Sequence, residues 1–263
     1  MPPRPQRRPI PAPQARRSAG ADGGTGQAAI EPVDPVSGGE PGLYGGNRNN
    51  ARCNRLELVG SLEADPAKAA HWAAVHEIEP TEVRTFVETL TPVVLLHDTR
   101  VTNHGFRDAV GTSVQSVLQA GTAVLVDAEG MPRVRCSAGN PLERPIAQSA
   151  VSYSGNRWST FGANAPLVVS PGIASNQLVL QDLEGGEPFA RPSGSVGDQD
   201  FDAPTAAIDA IQQIYVLRQL GDPAVEAVGG MVTAGQPHLA NAGGSREWQG
   251  TMSVPTGRRI GGA

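Results

Sequence analysis

Lysine, aromatic residues and long apolar runs are scarce in this chain. Lys68 is the only lysine among 263 residues, so arginine supplies nearly all of the basic charge, and aromatic residues make up 4% of the sequence. No run approaches the roughly 18 apolar residues of a membrane helix, and the N-terminus lacks the apolar core of a signal peptide. On these absences alone, the chain as given is typical of a cytoplasmic protein without a transmembrane segment.

Cysteine is also scarce, because Cys53 and Cys136 are the only two. Two cysteines this far apart permit one disulfide bridge and exclude a C-x-x-C redox or zinc pattern. Thirty-two glycines, 23 prolines and a hydrophobic content of 39% indicate that much of the chain builds no core. We therefore expect one folded domain rather than two.

The basic charge is uneven along the chain. The net charge is −5, yet the first 17 residues contain five arginines and no acid. Arginine interspersed with proline is typical of a solvated, disordered arm, which we predict for residues 1–42. The folded region is mildly acidic, so no nucleic-acid partner is expected for it.

Proline and acidic caps mark a series of short helices. Leu58 and Leu62 share one helical face, and Asp65 followed by proline is typical of a helix start. Glu79 and Pro80 form a second helix start of this kind, an acidic residue followed by proline. They precede apolar residues at 83, 86, 87 and 90, which have the spacing of a buried helical face.

Strand and hairpin patterns follow. Apolar runs at 93–96, 122–126, 134–136 and 178–181 are bounded by turn residues, with hairpin turns predicted at 127–130 and 182–186. The pattern predicts an α+β domain over 43–192, in which short N-terminal helices pack on a small, mostly antiparallel sheet with hairpins, flanked by disordered tails. A linker is predicted at 193–204, an isolated or docking helix at 205–221, and a flexible tail rich in glycine and alanine at 222–263.

Several strings resemble one known family. They are GLYGG at 42–46, LTPVVL at 90–95, DTRVTNHGF at 98–106, SVLQAGTAVLVD at 116–127 and RVRCSAGNPL at 133–142. Together they resemble the actinobacterial domain of unknown function 6777 family, over roughly residues 42–194. The resemblance implies no reaction, but it implies an extracytoplasmic or membrane-associated setting, since such domains often occur there.

The resemblance also bears on the cysteines. Relatives often read Cys-x-Cys-Gly-Asn-Pro-Leu, whereas Ala138 occupies the place of the second cysteine here. This departure leaves Cys53 and Cys136 as the only possible pair, and we predict a disulfide between them. The alternative is two buried free thiols in a cytosolic protein.

Candidate chemistry is sparse. Asp98, Asn103 and His104 concentrate acid-base groups in what reads as one loop, and His97 adds a metal-ligand residue type, but their spacing matches no metal signature. The alternative is that residues 103–105 shape a turn. His71 and His76 are five residues apart on a predicted helix, so they do not share one face. The glycine-rich stretch at 20–26 follows no strand, and no cofactor is predicted.

The aromatic residues Tyr153, Trp158 and Phe161 suit either a recognition patch or a core, and the scarcity of aromatics favours the core. Two functions remain from these observations. The first is a non-enzymatic extracytoplasmic or cell-envelope binding or sensory module, with an envelope component as a candidate partner. The alternative is a hydrolase that uses the polar cluster of Asp98, Asn103 and His104.

Overall fold

The computed structural model describes residues 34–147, 153–162, 166–219 and 247–249, and within these ranges the fold is α+β, as predicted. The helices are α1 (Arg55–Glu63), α2 (Pro66–Val75), α3 (Val83–Thr89) and α4 (Thr205–Gln219), and a 3-10 turn, Pro80–Glu82, leads into α3. The strands are β1 (Val36–Ser37), β2 (Tyr44–Gly46), β3 (Thr91–Leu95), β4 (Thr99–Arg107), β5 (Val110–Leu118), β6 (Ala123–Val126), β7 (Pro132–Arg135), β8 (Asn140–Glu143), β9 (Val169–Ser170), β10 (Gln177–Asp182), β11 (Phe189–Pro192), β12 (Phe201–Asp202) and β13 (Glu247–Gln249).

Local caps start the first two helices where the sequence places them. The Asn54 side chain accepts a hydrogen bond from the Glu57 amide at 3.1 Å, and the Asp65 side chain accepts one from the Lys68 amide at 3.1 Å. Each side chain satisfies an amide that has no partner within its helix. These helix starts are therefore determined by a few neighbouring residues.

The sheet is much larger than predicted. Among the described residues, eleven strands join in the order β12-β11-β10-β2-β3-β6-β7-β8-β4-β5-β13, and β1 pairs separately with β9. Only the β2–β10 neighbours run parallel in the large sheet, so the expected antiparallel character is correct and the expected small size is wrong. The helices are also not confined to the N-terminal side, since α4 follows β12. Short or polar strands caused the underestimate, because they lack an apolar signature.

The long β4–β5 hairpin is the main departure from the sequence interpretation. Its register runs from Thr99 opposite Leu118 to Arg107 opposite Val110, so the residues interpreted as a loop and a turn lie inside a strand. The true turn is at Asp108 and Ala109, whose φ values of 52° and 60° place both residues in the left-handed region that the favoured two-residue hairpin turn requires.

Alternate residues of β6 divide the interior into two layers. Val124 and Val126 belong to the core on one sheet face, whereas Leu125 lies in the core that α1, α2 and α3 cover. The period of two along a strand accounts for this alternation. Trp72 of α2 is buried in the helical layer, and its indole N–H donates to the Gly139 carbonyl at 3.0 Å.

A disulfide joins Cys53 to Cys136, as predicted, with 5.4 Å between the two Cα atoms. This distance lies within the usual range for a bridge. Cys53 precedes α1 and Cys136 follows β7, so the bond fastens the helical layer to the sheet.

Contacts in the structure cross the boundaries that we predicted between the arm, the domain, the linker and the last helix. Val36 lies in the segment assigned to the arm, yet β1 pairs with β9 in parallel. In the segment assigned to the linker, Asp200 forms an ion pair with Arg191. A Cβ atom at Gly42 would lie 3.2 Å from Cγ1 of Ile211, so α4 contacts the domain. The arm up to residue 33, and the tail apart from 247–249, lie outside the described residues, and the full division stays a prediction.

Candidate functional site

The polar cluster proposed from the sequence does not come together. Asn103 and His104 are successive residues of β4, so their side chains project from opposite faces of the sheet. The Asn103 amide oxygen accepts a hydrogen bond from the Asn140 amide group at 3.1 Å, and His104 Nε2 lies 2.5 Å from a Glu143 carboxylate oxygen. A general acid and base acting on one substrate would have to lie on one side of the sheet.

Asp98 instead holds a distant segment in place. Its carboxylate is buried and accepts hydrogen bonds from the Ala120 backbone amide at 2.9 Å and from the Trp158 indole N–H at 3.0 Å. Burial raises the pKa of Asp98, while these two donors act to lower it. The bond to Trp158 spans 60 residues of sequence and anchors residues 153–162 over the start of β4.

Those residues carry an aromatic cluster. The ring centroid of Phe161 lies 5.2 Å from that of Tyr153 and 5.1 Å from that of Trp158, with both pairs nearly perpendicular. The Arg157 guanidinium carbon lies 5.6 Å from the centroid of Phe161. All three rings are half-buried and belong to neither core cluster, so the sequence preference for a core position is wrong. The partial exposure leaves aromatic surface accessible to a ligand.

Arg100 lies two residues after Asp98, which binds Trp158 of this cluster, and it was not singled out in the sequence as a site residue. The residue is 8% exposed, and its backbone amide donates to the Leu167 carbonyl at 2.8 Å. Its side-chain Nε is buried without a hydrogen-bond acceptor among the described residues. Burial raises the pKa of Tyr153, and the positive charge of Arg100 acts to lower it.

Arg191 shows how this protein can satisfy the donors of a buried arginine. The side chain is 1% exposed and forms a two-pronged ion pair with Asp200, with distances of 2.9 and 2.7 Å. Its remaining donors reach three backbone carbonyls at 2.8 to 3.1 Å, those of Pro92, Asn47 and Asn50. A buried guanidinium needs such partners because its desolvation is costly. Against this standard, the Nε of Arg100 lacks a partner.

A second group of polar side chains lies between α2 and β4. The His76 ring packs 4.3 Å from the Trp72 ring and 4.9 Å from the Phe86 ring, measured between centroids. Burial, with the charges of Arg133 and His104, lowers the pKa of His76 to about 3. His76 therefore packs against the two rings as a neutral imidazole, and its protonation at low pH opposes this packing. Among the described residues, no group of three or more His, Cys, Asp or Glu side chains is arranged to hold a metal ion.

A wide groove opens beside the disulfide, between α1, α3 and the loop at 196–198. Its volume is about 880 Å³, and Leu56, which is 74% exposed, lies along it. The groove's arginines already have partners. Arg55 donates to three backbone carbonyls at 2.8 Å, and Arg84 binds Glu63 through contacts of 2.7 to 3.1 Å. The groove therefore offers space, but its arginines are already bound, and it is a weaker candidate than the face that carries Arg100 and the aromatic cluster.

No helix in the described part of the chain is long and apolar enough to cross a membrane. Comparison with known proteins gives a family and no function: no curated protein and no solved structure matches the chain. One family model, Domain of unknown function (DUF6777), matches residues 34–194, which is more than half of the sequence. This range contains the disulfide, the β4–β5 hairpin, Arg100 and the aromatic cluster. The chain therefore belongs to the DUF6777 family, as the motifs at 42–46, 90–95 and 133–142 indicate.

Proposed function

We propose that this protein is a non-enzymatic binding or sensory module that works outside the cytoplasm or at the cell envelope. The recognition surface is the face formed by Arg100, Tyr153, Trp158 and Phe161, which we call the Arg100 surface. The observation that carries the proposal is a buried arginine with an unpartnered Nε, two residues from the carboxylate that anchors a cluster of three half-buried aromatic rings. Aromatic side chains and arginine are the residues most enriched at sites of recognition.

The disulfide supports the setting. Bridges persist in oxidising compartments, whereas cytosolic reductants remove them. The family resemblance points the same way, and an envelope component is the proposed partner. The sequence of the folded region is mildly acidic, so we propose no nucleic-acid partner for it.

The hydrolase alternative has less support. Asn103 and His104 project from opposite sheet faces, and Asp98 is committed to the Ala120 amide and the Trp158 indole. An active site around these three residues would require the strand to rearrange, and no observation favours such a change.

Binding to envelope material tests the proposal. Purified protein is sedimented with isolated cell-envelope fractions, and Trp158→Ala and Leu56→Ala are compared with the wild type. We expect saturable binding by the wild type, at least a tenfold loss in Trp158→Ala, and no change in Leu56→Ala, which alters the groove beside the disulfide instead. Wild-type binding no stronger than that of an unrelated acidic domain would refute the proposed function.

A further inference from the structure

Among the described residues, the buried Arg100 differs from Arg191 and Arg55, which hold the fold together; Arg135 shares its unpartnered Nε but has another interaction. Arg191 donates to carboxylate and carbonyl acceptors and Arg55 donates to three carbonyls, and these contacts tie separate parts of the chain together. Arg100 is buried to a comparable degree, yet its Nε has no acceptor. A purely structural role does not explain a guanidinium placed in this way, because a hydrophobic side chain would fill the same space without the desolvation cost.

The charges near Arg100 do not neutralise it. The Asp98 carboxylate is the adjacent acid on the same segment, and both of its oxygens are engaged, one by the Ala120 amide and one by the Trp158 indole. The next charged group on the overlying segment is Arg157, an exposed second cation that lies over Phe161. This surface therefore has two guanidinium groups, those of Arg100 and Arg157, and one carboxylate, that of Asp98, whose two oxygens are already hydrogen-bonded. Positive charge exceeds negative charge there.

We propose that Arg100 binds the anionic group, a carboxylate or a phosphate, of a ring-bearing ligand whose ring packs on the Trp158 and Phe161 side chains. The inference rests on the proposed function and specifies its ligand class. A guanidinium presents parallel donors in a fixed plane, which matches the two oxygens of a carboxylate or phosphate. The half-buried rings supply apolar contact area for the body of the ligand.

Three probes share one sugar ring and differ in charge: glucose is neutral, glucuronate carries a carboxylate and glucose 6-phosphate carries a phosphate. Their binding is measured by indole fluorescence titration and by the shift in thermal midpoint. The full chain is used as wild type, Arg100→Met, Arg100→Lys and the exposed-site control Arg84→Met. Urea unfolding of each variant shows whether it is folded.

We expect at least one charged probe to bind the wild type and Arg84→Met equally, and to bind Arg100→Met at least tenfold more weakly. Glucose should bind all four proteins with the same low affinity. Arg100→Lys should retain only part of the affinity, because an ammonium keeps the charge but loses the planar fork. The charged probe that binds more tightly identifies the anionic group. The urea midpoint of Arg100→Met should be unchanged or higher, since the variant removes a buried charge with an unpartnered donor.

The inference is overturned if neither charged probe binds the wild type saturably, or if Arg100→Met binds both as well as the wild type does. If Arg100→Met fails to fold, Arg100→Lys decides, and unaltered affinity in that variant also overturns the inference. Envelope sedimentation separates the two proposals. Envelope binding that is the same in the wild type and Arg100→Met leaves the binding function standing and removes the anion site, whereas a wild-type protein that binds neither the envelope nor a charged probe refutes both.

Discussion

Acid should destabilise this protein through His76. The ring is packed between Trp72 and Phe86, and the pKa of His76 falls from 6.5 to about 3 on folding. Between pH 6.5 and pH 3, the His76 imidazole is therefore protonated in the unfolded chain and neutral in the folded protein. Stability from this residue is present above pH 6.5, is lost as the pH falls, and stops changing below pH 3.

The magnitude follows from the shift. Each pH unit between 6.5 and 3 removes up to about 1.4 kcal/mol, so lowering the pH from 7 to 5 should cost about 2 kcal/mol. The charged neighbours of His76 are Arg133 and His104, which both oppose its protonation. Arg133 is also paired with Asp127, and His104 contacts Glu143, so these groups can add to the pH dependence of stability. The contribution of His76 is therefore measured as the difference between the wild type and a variant that lacks this histidine.

The assay is urea unfolding between pH 7 and pH 5, under non-reducing conditions, of the wild type, His76→Phe and the control His97→Phe. We expect the wild type and His97→Phe to lose about 2 kcal/mol more than His76→Phe over this range. Any packing cost of phenylalanine is independent of pH, so it displaces the whole profile and leaves the slope unchanged. Parallel profiles for the wild type and His76→Phe would refute the reasoning.

Three further changes test the framework of the fold. Cys136→Ser should cost about 2 to 5 kcal/mol in urea unfolding under non-reducing conditions, and an unchanged melting temperature would show that the bridge is unformed or irrelevant to stability. Asp200→Asn should cost about 3 to 5 kcal/mol, because it leaves the Arg191 guanidinium buried without its counter-charge, and a loss below about 1 kcal/mol would contradict that account. Gly130→Ala should lower the thermal midpoint, since Gly130 has φ +74° and an added Cβ would collide with the Gly38 backbone, whereas an unaltered midpoint would mean that the turn relaxes freely.

Helix caps and turn motifs that span only a few residues predicted the structure reliably. Asp65 before proline predicts the start of α2, and residues 127–130 predict the turn between β6 and β7, because caps and tight turns depend on neighbouring side chains. The pairing of Cys53 with Cys136 was also accessible, since no third cysteine competes. The family could be named because its motifs are continuous in the sequence.

The features that the sequence did not predict depend on pairing between segments that are distant in the chain. Strand β4 carries Thr, Asn, His and Gly, and its hydrogen bonds come from β5 and β8, so no apolar pattern within the segment predicts a strand. For the same reason the sequence interpretation placed Asp98, Asn103 and His104 in one loop, where the strand in fact separates Asn103 from His104. The size of the sheet likewise depends on partners, such as β2 with β10, that lie more than a hundred residues apart.

The Arg100 surface illustrates the division. The sequence alone determined the residue types, an arginine and three aromatics about 50 residues further on, and composition favoured a core for those rings. Only the tertiary structure brought residues 153–162 over the start of β4, through the bond from the Trp158 indole to the Asp98 carboxylate. Whether a buried arginine is saturated depends on which acceptors the fold carries to it. Arg191 receives them from three separate segments, and the Nε of Arg100 receives none from the described residues.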